Sequence, residues 1–360
     1  MIGSHRHPVN VSWIGWCDVL TGKLWPAHVH PLRDELLSSW LVRLAHANGC
    51  KVQTFCHLAL SQHEIWNRDI DRSAPLWLLK AMSRHTGTAP RFVHQATLRK
   101  YEGWLYKQYR VSGSINWIIA LQQYHRQHLG HSLQFCPQCL INDPEPYFRV
   151  SWRLGLYTFC PDHKIMMHDR CPSCSFPIAF HRQELGKPEQ YQQIGMQVCF
   201  NCGFNLCHSP KVAVTEINDN SFKNWAQCLR QYANRYSPIH LEFDYRHMAA
   251  LRHLCALISN SRHSPRLQEY LCDRTRLEPI EFTQGRIVFE QRPIHERHQA
   301  LLLAWWLLGD WPNRLYKAWY YHAVRYNLLL KDLDDAPEFY SSFVMSLNRN
   351  QNKTLYKVNR

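Results

Sequence analysis

Four two-ligand pairs with the same internal spacing fall between residues 136 and 202: Cys136-Pro-Gln-Cys139, Cys160-Pro-Asp-His163, Cys171-Pro-Ser-Cys174 and Cys199-Phe-Asn-Cys202. Two intervening residues let both donors of one tight turn reach a single ion. Two such turns complete a tetrahedral shell of thiolate and imidazole, a donor set that suits zinc. Proline after the first ligand in three of the pairs helps fix the turn. Pairs could combine in sequence or interleave as in a cross-brace. Interleaved modules keep their second and third pairs only a few residues apart, whereas seven residues separate His163 from Cys171. The sequential arrangement is therefore expected: Cys136, Cys139, Cys160 and His163 around one ion, and Cys171, Cys174, Cys199 and Cys202 around a second. Cys207, His208 and His168 are alternative ligands. Both sets have four ligands and are rich in thiolate, so they read as closed structural sites rather than catalytic ones with an open position for water.

The rest of the composition sharpens around that segment. Of 360 residues, 42 are Lys or Arg and 28 are Asp or Glu. Residues 1–130 carry 15 basic and 7 acidic side chains, 131–210 carry 6 of each, and 211–360 carry 21 and 15. These are the three expected domains: an N-terminal arm with helices, tandem zinc modules, and a C-terminal helical region. Thiolates bound to two zinc ions would take the middle to about −3, which leaves the basic flanks as candidates for polyanion contact. The other cysteines, Cys17, Cys50, Cys56, Cys228, Cys255 and Cys272, read as small packing residues. The longest strongly apolar run, 300–308, is too short to span a bilayer. The polar N-terminus lacks a secretory h-region, so a cytoplasmic location is expected. No phosphate loop, GxGxxG, GxSxG or HExxH motif is present. Asp69 and Asp71 read as a solvated acidic pair. The chain thus reads as a binding protein, not an enzyme.

The fold class expected is mainly α with two tandem zinc modules carrying small hairpins. Apolar spacing predicts helices over Asp34–Ala47, stopped by Asn48-Gly49, and then from Val52 to Ala59. Helix, Gly turn, helix is the outline of a helix-turn-helix. If that pair reads DNA, Lys51, Gln53 and Thr54 at the start of its second helix face the groove. Further helices are expected from Ser73 to Thr86 and over 91–108, 115–128, 221–232, 246–259, 295–308 and 313–330. A hairpin is expected over 280–290 and a frayed tail in the last 15 residues. Residues 134–208 read as hairpin-rich.

Several stretches together resemble the TniQ/TnsD family of transposition target-selection proteins. They are Pro31 to Ala45 with Asn48-Gly49 (PLRDELLSSWLVRLA…NG), Met82 to Gly87, and Thr97 to Gly103. Phe135 to Leu140, Pro146 to Arg149, Trp152-Arg153-Leu154, Cys160 to His163 and Asp169 to Cys174 complete the set. Leu36 departs from the family's Ser. The resemblance implies an α-rich fold with two structural zinc ions and an N-terminal helix-turn-helix, in a bacterial cytoplasmic protein. It also implies an adaptor that marks a DNA target and recruits the AAA+ ATPase regulator of the transposon (TnsC/TniB type). Some members read an attachment sequence in DNA directly. Others dock as homodimers on a CRISPR Cascade ribonucleoprotein and inherit its guide RNA. The length favours the short, Cascade-docked kind.

Overall fold

The computed structural model describes residues 20, 22–60, 65–121, 131, 133–185, 193–234, 244–260 and 265–358. Its helices are α1 (Leu37–Ala47), α2 (Val52–Ala59), α3 (Ile70–Ser73), α4 (Leu76–Thr86), α5 (Pro90–Gln95), α6 (Pro137–Asn142), α7 (Asn220–Ala233), α8 (Tyr245–Ile258), α9 (Pro265–Thr275), α10 (Ile294–Gly309), α11 (Asn313–Tyr320), α12 (Tyr326–Leu329) and α13 (Glu338–Val358). Among the described residues the paired strands are β1 (Phe159–Cys160) and β2 (Ile165–Met166), antiparallel with Phe159 opposite Met166. The chain is mainly helical, as its spacing predicts, and no described helix is long and apolar enough to cross a membrane.

Helix α1 is buried from Leu37 to Ala45, its polar residues included. A helix sunk this deeply must find partners for every polar group. Ser38 donates its backbone N–H and its hydroxyl to Asp71, both at 2.8 Å, and Ser39 donates to Glu35 at 2.9 Å. Arg43 donates to Glu35 at 2.8 Å and also reaches Glu145. Burial pushes the Glu35 carboxyl up to about 7, against the pull of Arg43. The helix ends where Gly49 takes φ +68° and Asn48 caps the Leu44 carbonyl with its amide.

The residues before the strands join the two halves of the molecule. On one side Leu36 N–H bonds the Phe148 carbonyl at 2.9 Å and Ile119 N–H bonds the Arg153 carbonyl at 3.0 Å. Gly155 N–H meets the Trp117 carbonyl at 2.7 Å, and a Cβ at Gly155 would lie 3.2 Å from Glu290. On the other side Trp225 of α7 donates to the Leu156 carbonyl at 3.3 Å, and Phe159 packs edge-on against Trp225 with ring centres 4.8 Å apart. Arg297, fully buried in α10, donates to the Gly155 carbonyl and to Gln134 at 2.8 and 2.9 Å. One hydrophobic core consequently runs from Trp25 and Trp40 through Trp152 to Trp225 and Leu301. In the C-terminal region α10 is central and packs on α8 and α7.

Several expectations fail for identifiable reasons. Asp69 and Asp71 are not solvated. Both are buried around Arg153, which donates to Asp69 at 2.6 and 3.1 Å, to Asp71 at 3.4 Å and to the Ile119 carbonyl at 2.9 Å. The helix expected over 91–108 stops at Gln95, where the Thr97 hydroxyl takes the His94 carbonyl, and a 3-10 turn follows at Leu98–Tyr101. The helix expected over 313–330 is divided at His322, which adopts φ +58°. No hairpin forms over 280–290. There the Thr283 N–H is taken by the Glu296 carboxylate at 2.9 Å, and Glu290 is sequestered by Arg252 at 2.6 Å. The tail expected to fray is instead helical as far as Val358, as the end of α13, whose preceding turns bury Tyr340, Val344 and Leu347. In the helix expected over 115–128, residues 115–121 form turns and 122–128 lie outside the described residues, as does Cys17.

Replacing Arg153 with Met would leave two carboxylates buried without their cation. A loss of about 3–5 kcal/mol is expected, measured as a shift in urea unfolding followed by tryptophan fluorescence. A loss below about 1 kcal/mol, the scale of an exposed pair, would show that the cluster does not carry the join. His298 offers a pH test. Its Nε2–H donates to the Thr215 carbonyl at 3.2 Å and its Nδ1 accepts from the Thr158 hydroxyl at 2.9 Å. Burial pushes this imidazole down to about 4. The unfolded chain protonates near 6.5, so the group's contribution is intact above about pH 6.5 and is lost as pH falls toward 4. His298→Gln should therefore show a smaller change in melting temperature between pH 7 and pH 5 than the parent. An equal change in both would remove His298 from the acid sensitivity.

Candidate metal centres

The first cluster is assembled by α6 and by the turn between β1 and β2. Cys136 caps α6, its sulfur accepting from the Cys139 N–H at 3.4 Å. This position puts Cys136 and Cys139 on the same end of a helix started by Pro137. Cys160 closes β1. Its sulfur accepts N–H bonds from Asp162 and His163, and Lys164 N–H bonds the Cys160 carbonyl at 2.8 Å with φ +52° at Lys164. Cys139 and Cys160 sulfurs are 3.7 Å apart, and His163 Nδ1 lies 3.6, 3.3 and 3.4 Å from the sulfurs of Cys136, Cys139 and Cys160. Cys136, Cys139 and Cys160 are buried and His163 is half-buried.

The second cluster repeats the same turn twice. Ser175 N–H bonds the Cys171 carbonyl at 2.8 Å with φ +58° at Ser175, and Gly203 N–H bonds the Cys199 carbonyl at 2.9 Å with φ +77° at Gly203. The sulfur of Cys171 accepts from Ser173 and Cys174 N–H groups, and that of Cys199 from Asn201 and Cys202. Such donors are well placed to stabilise thiolate. Sulfur pairs Cys171–Cys202 and Cys174–Cys199 are each 3.7 Å apart. Here Cys202 is exposed and Cys174 half-buried.

These distances test the metal reading. A tetrahedron with metal–sulfur bonds of about 2.3 Å has sulfurs about 3.8 Å apart, and a nitrogen ligand at about 2.0 Å lies about 3.5 Å from each sulfur. The measured separations fit both values and are far beyond the roughly 2.05 Å of a disulfide. The two groups could each hold a metal ion, with pairs one and two together and pairs three and four together. His163 presents Nδ1 to the sulfurs, so its ring proton belongs on Nε2, 3.1 Å from the Asn142 amide. Turning that amide would offer its oxygen as the acceptor.

Neither group includes Cys207, His208 or His168. His168 stacks on Phe135 at 5.3 Å and its Nε2 meets the Pro210 carbonyl at 2.8 Å. Cys56 and Cys228 are buried thiols that burial raises to about 12. Lys51, Gln53 and Thr54 are half-buried at the start of α2. The Val52 N–H there is capped by Glu184 at 2.9 Å, and Gln53 reaches the His181 carbonyl at 3.5 Å. The N-terminal helix pair is thus packed against the segment between Cys174 and Cys199. Sequence spacing picked out the eight residues that the structure gathers into two groups, but not this contact, nor the left-handed residues Lys164 and Ser175. Of the three left-handed positions only Gly203 announces itself by residue type.

The chain is thus mainly helical with two sulfur-rich clusters that could each hold a metal ion. Residues 26–167, about two-fifths of the chain, match the TniQ family model, so this segment is similar to the TniQ family. The match contains the whole first cluster and ends before the second. No curated protein matches the chain.

Purified protein should carry two zinc ions per chain by elemental analysis. Cys171→Ser combined with Cys174→Ser should carry one, with the first site still filled. Removal of all metal should lower the melting temperature sharply, because binding energy at such sites is folding energy. An unchanged melt after complete removal would rule the clusters out as staples.

Proposed function

We propose that this protein is an adaptor in the selection of transposition targets. It links a target-recognition complex, Cascade with its guide RNA, to the AAA+ ATPase regulator of the transposon (TnsC/TniB type). The observation that carries the reading is the TniQ match over 26–167, which covers the join between the N-terminal helices and the first cluster. The eight residues Cys136, Cys139, Cys160, His163, Cys171, Cys174, Cys199 and Cys202 act as ligands of two structural zinc ions. Regions 1–130, 131–210 and 211–360 then serve as two basic flanks set at a fixed angle by the middle one, and the chain works as a homodimer in the cytoplasm.

The described carboxylates support a non-enzymatic role. The buried Glu35, Asp69, Asp71, Glu290 and Glu296 are bound to Arg43, Arg153, Arg153, Arg252 and Arg292 respectively. Acids committed in this way are not poised for proton transfer to a substrate.

A second reading, direct recognition of an attachment site, is favoured by the geometry of α1 and α2. The two helices pack across a turn with a left-handed Gly49, and Lys51, Gln53 and Thr54 lead the second helix. In this reading the pair acts as a helix-turn-helix, and its leading residues, which rest against Glu184 and His181, would turn outward to enter the major groove.

One set of experiments separates the two readings. The tagged chain should retain both Cascade and the element's ATPase in pull-downs and should show no sequence-specific footprint on naked DNA. Retention of neither partner overturns the adaptor reading. Protection of one attachment sequence, relaxed by Gln53→Ala, would establish direct reading instead.

A further inference from the structure

Helix α11 carries an unusual outward face. Leu315 and Ala318 are buried and fix the helix to the core, while Tyr316 and Tyr320 are 41% and 59% exposed one turn apart on its outer side. Their rings lie nearly parallel, 6.2 Å between centres and 26° between planes. Tyr321, 57% exposed, extends the ridge: it meets Tyr320 edge-on at 5.3 Å and faces Tyr270 of α9 at 6.1 Å and 31°. The Arg274 guanidinium sits 5.4 Å from the Tyr270 ring and 5.7 Å from that of Tyr321.

The chemistry of this ridge is specific. Every exposed ring ends in a polar hydroxyl, unlike the Leu, Ile and Phe of an ordinary apolar docking patch. Residues 313–330 contain Arg314, Lys317 and Arg325 and no Asp or Glu. Arg314 is committed to Asp219 at 2.6 Å, while Lys317 and Arg325 are exposed. Two acids border it on α9: Asp273 lies 3.7 Å from Arg274, and Glu269 is exposed beside Tyr270. Flat aromatic faces interleaved with cations match a chain of unpaired bases joined by phosphates. Stacking takes any base, and cations track the backbone. An acidic protein segment would satisfy the cations but would leave several ring faces uncovered.

We infer that the tyrosine ridge of α11 and the adjoining Tyr270–Arg274 edge form a stacking platform for single-stranded DNA. The choice of DNA over RNA rests on the transposition reading; the stacking chemistry does not. The ridge lies in the C-terminal region, outside the segment matched by the family model and away from Lys51, Gln53 and Thr54.

Fluorescence anisotropy of labelled 20-nucleotide oligomers with the full-length, metal-loaded chain tests this. Oligo-dT should bind more tightly than a duplex of equal length and at least as tightly as oligo-U. Tyr316→Ala and Tyr320→Ala should each weaken dT binding by about 5- to 100-fold, while Tyr320→Phe should bind like the parent because the ring does the stacking. Melting temperature and metal content should not change in any variant, since these rings are exposed. Alanine variants that bind dT like the parent overturn the proposal. So does a duplex bound as tightly as dT, or loss of a protein partner in the alanine variants with dT binding intact. Tighter binding of oligo-U overturns the assignment to DNA. The assay contains neither ATPase nor Cascade, so its failure leaves the adaptor reading standing, and failure of the pull-downs leaves the platform standing.

Discussion

The Arg153 guanidinium is the point on which the architecture converges. It is fully buried, and it ties two carboxylates from the third helix region to the backbone at Ile119. A buried cation with two buried anions is costly to assemble and costlier to break, because any one removed leaves the others without a counterion. Burial, then the neighbouring Asp69 charge, push the Asp71 carboxyl up to about 6, and Arg153 opposes both. The cluster therefore works less as a source of net stability than as a register pin. It accepts one relative placement of the N-terminal helices and of the residues leading into β1, and those residues in turn carry Cys160.

The same logic recurs on the C-terminal side with different chemistry. Among the described residues Arg297 has no carboxylate within bonding distance; it is satisfied by the carbonyls of Gly155 and Arg292 and by the Gln134 amide. Desolvation pulls this guanidinium down to about 10. A charge held by neutral dipoles alone demands closely placed acceptors, so the position of α10 is set by the backbone at Gly155. The middle segment thus contacts both flanks through the Arg153 and Arg297 networks.

How much of this was legible in the sequence varies with the range of the interaction. The metal sets were readable because both donors of each pair lie within one turn, so spacing is geometry. Helices α1, α2, α4, α7, α8 and α10 were readable because their apolar periodicity coincides with burial. What could not be read depends on residues distant in sequence. Asp69 and Asp71 look solvated until Arg153 arrives from 82 to 84 positions away. Thr283 and Glu290 look like strand residues until Glu296 and Arg252 claim their hydrogen bonds. The end of the chain looks polar enough to fray, yet α13 continues to Val358 from turns that bury Tyr340, Val344 and Leu347. Long-range electrostatic pairing and local propensity are different languages, and periodicity reports only the second.

The two clusters also differ in their surroundings. The first is enclosed by α6 and β1, and Arg230 of α7 reaches across to Asp162 and the Pro161 carbonyl inside its second turn. The second presents Cys202 to solvent. Ligand exchange begins with an incoming competitor at an accessible thiolate, so an ion held by the second group would exchange more readily than one held by the enclosed first group. Metal scarcity would then empty the second group first and the first group last.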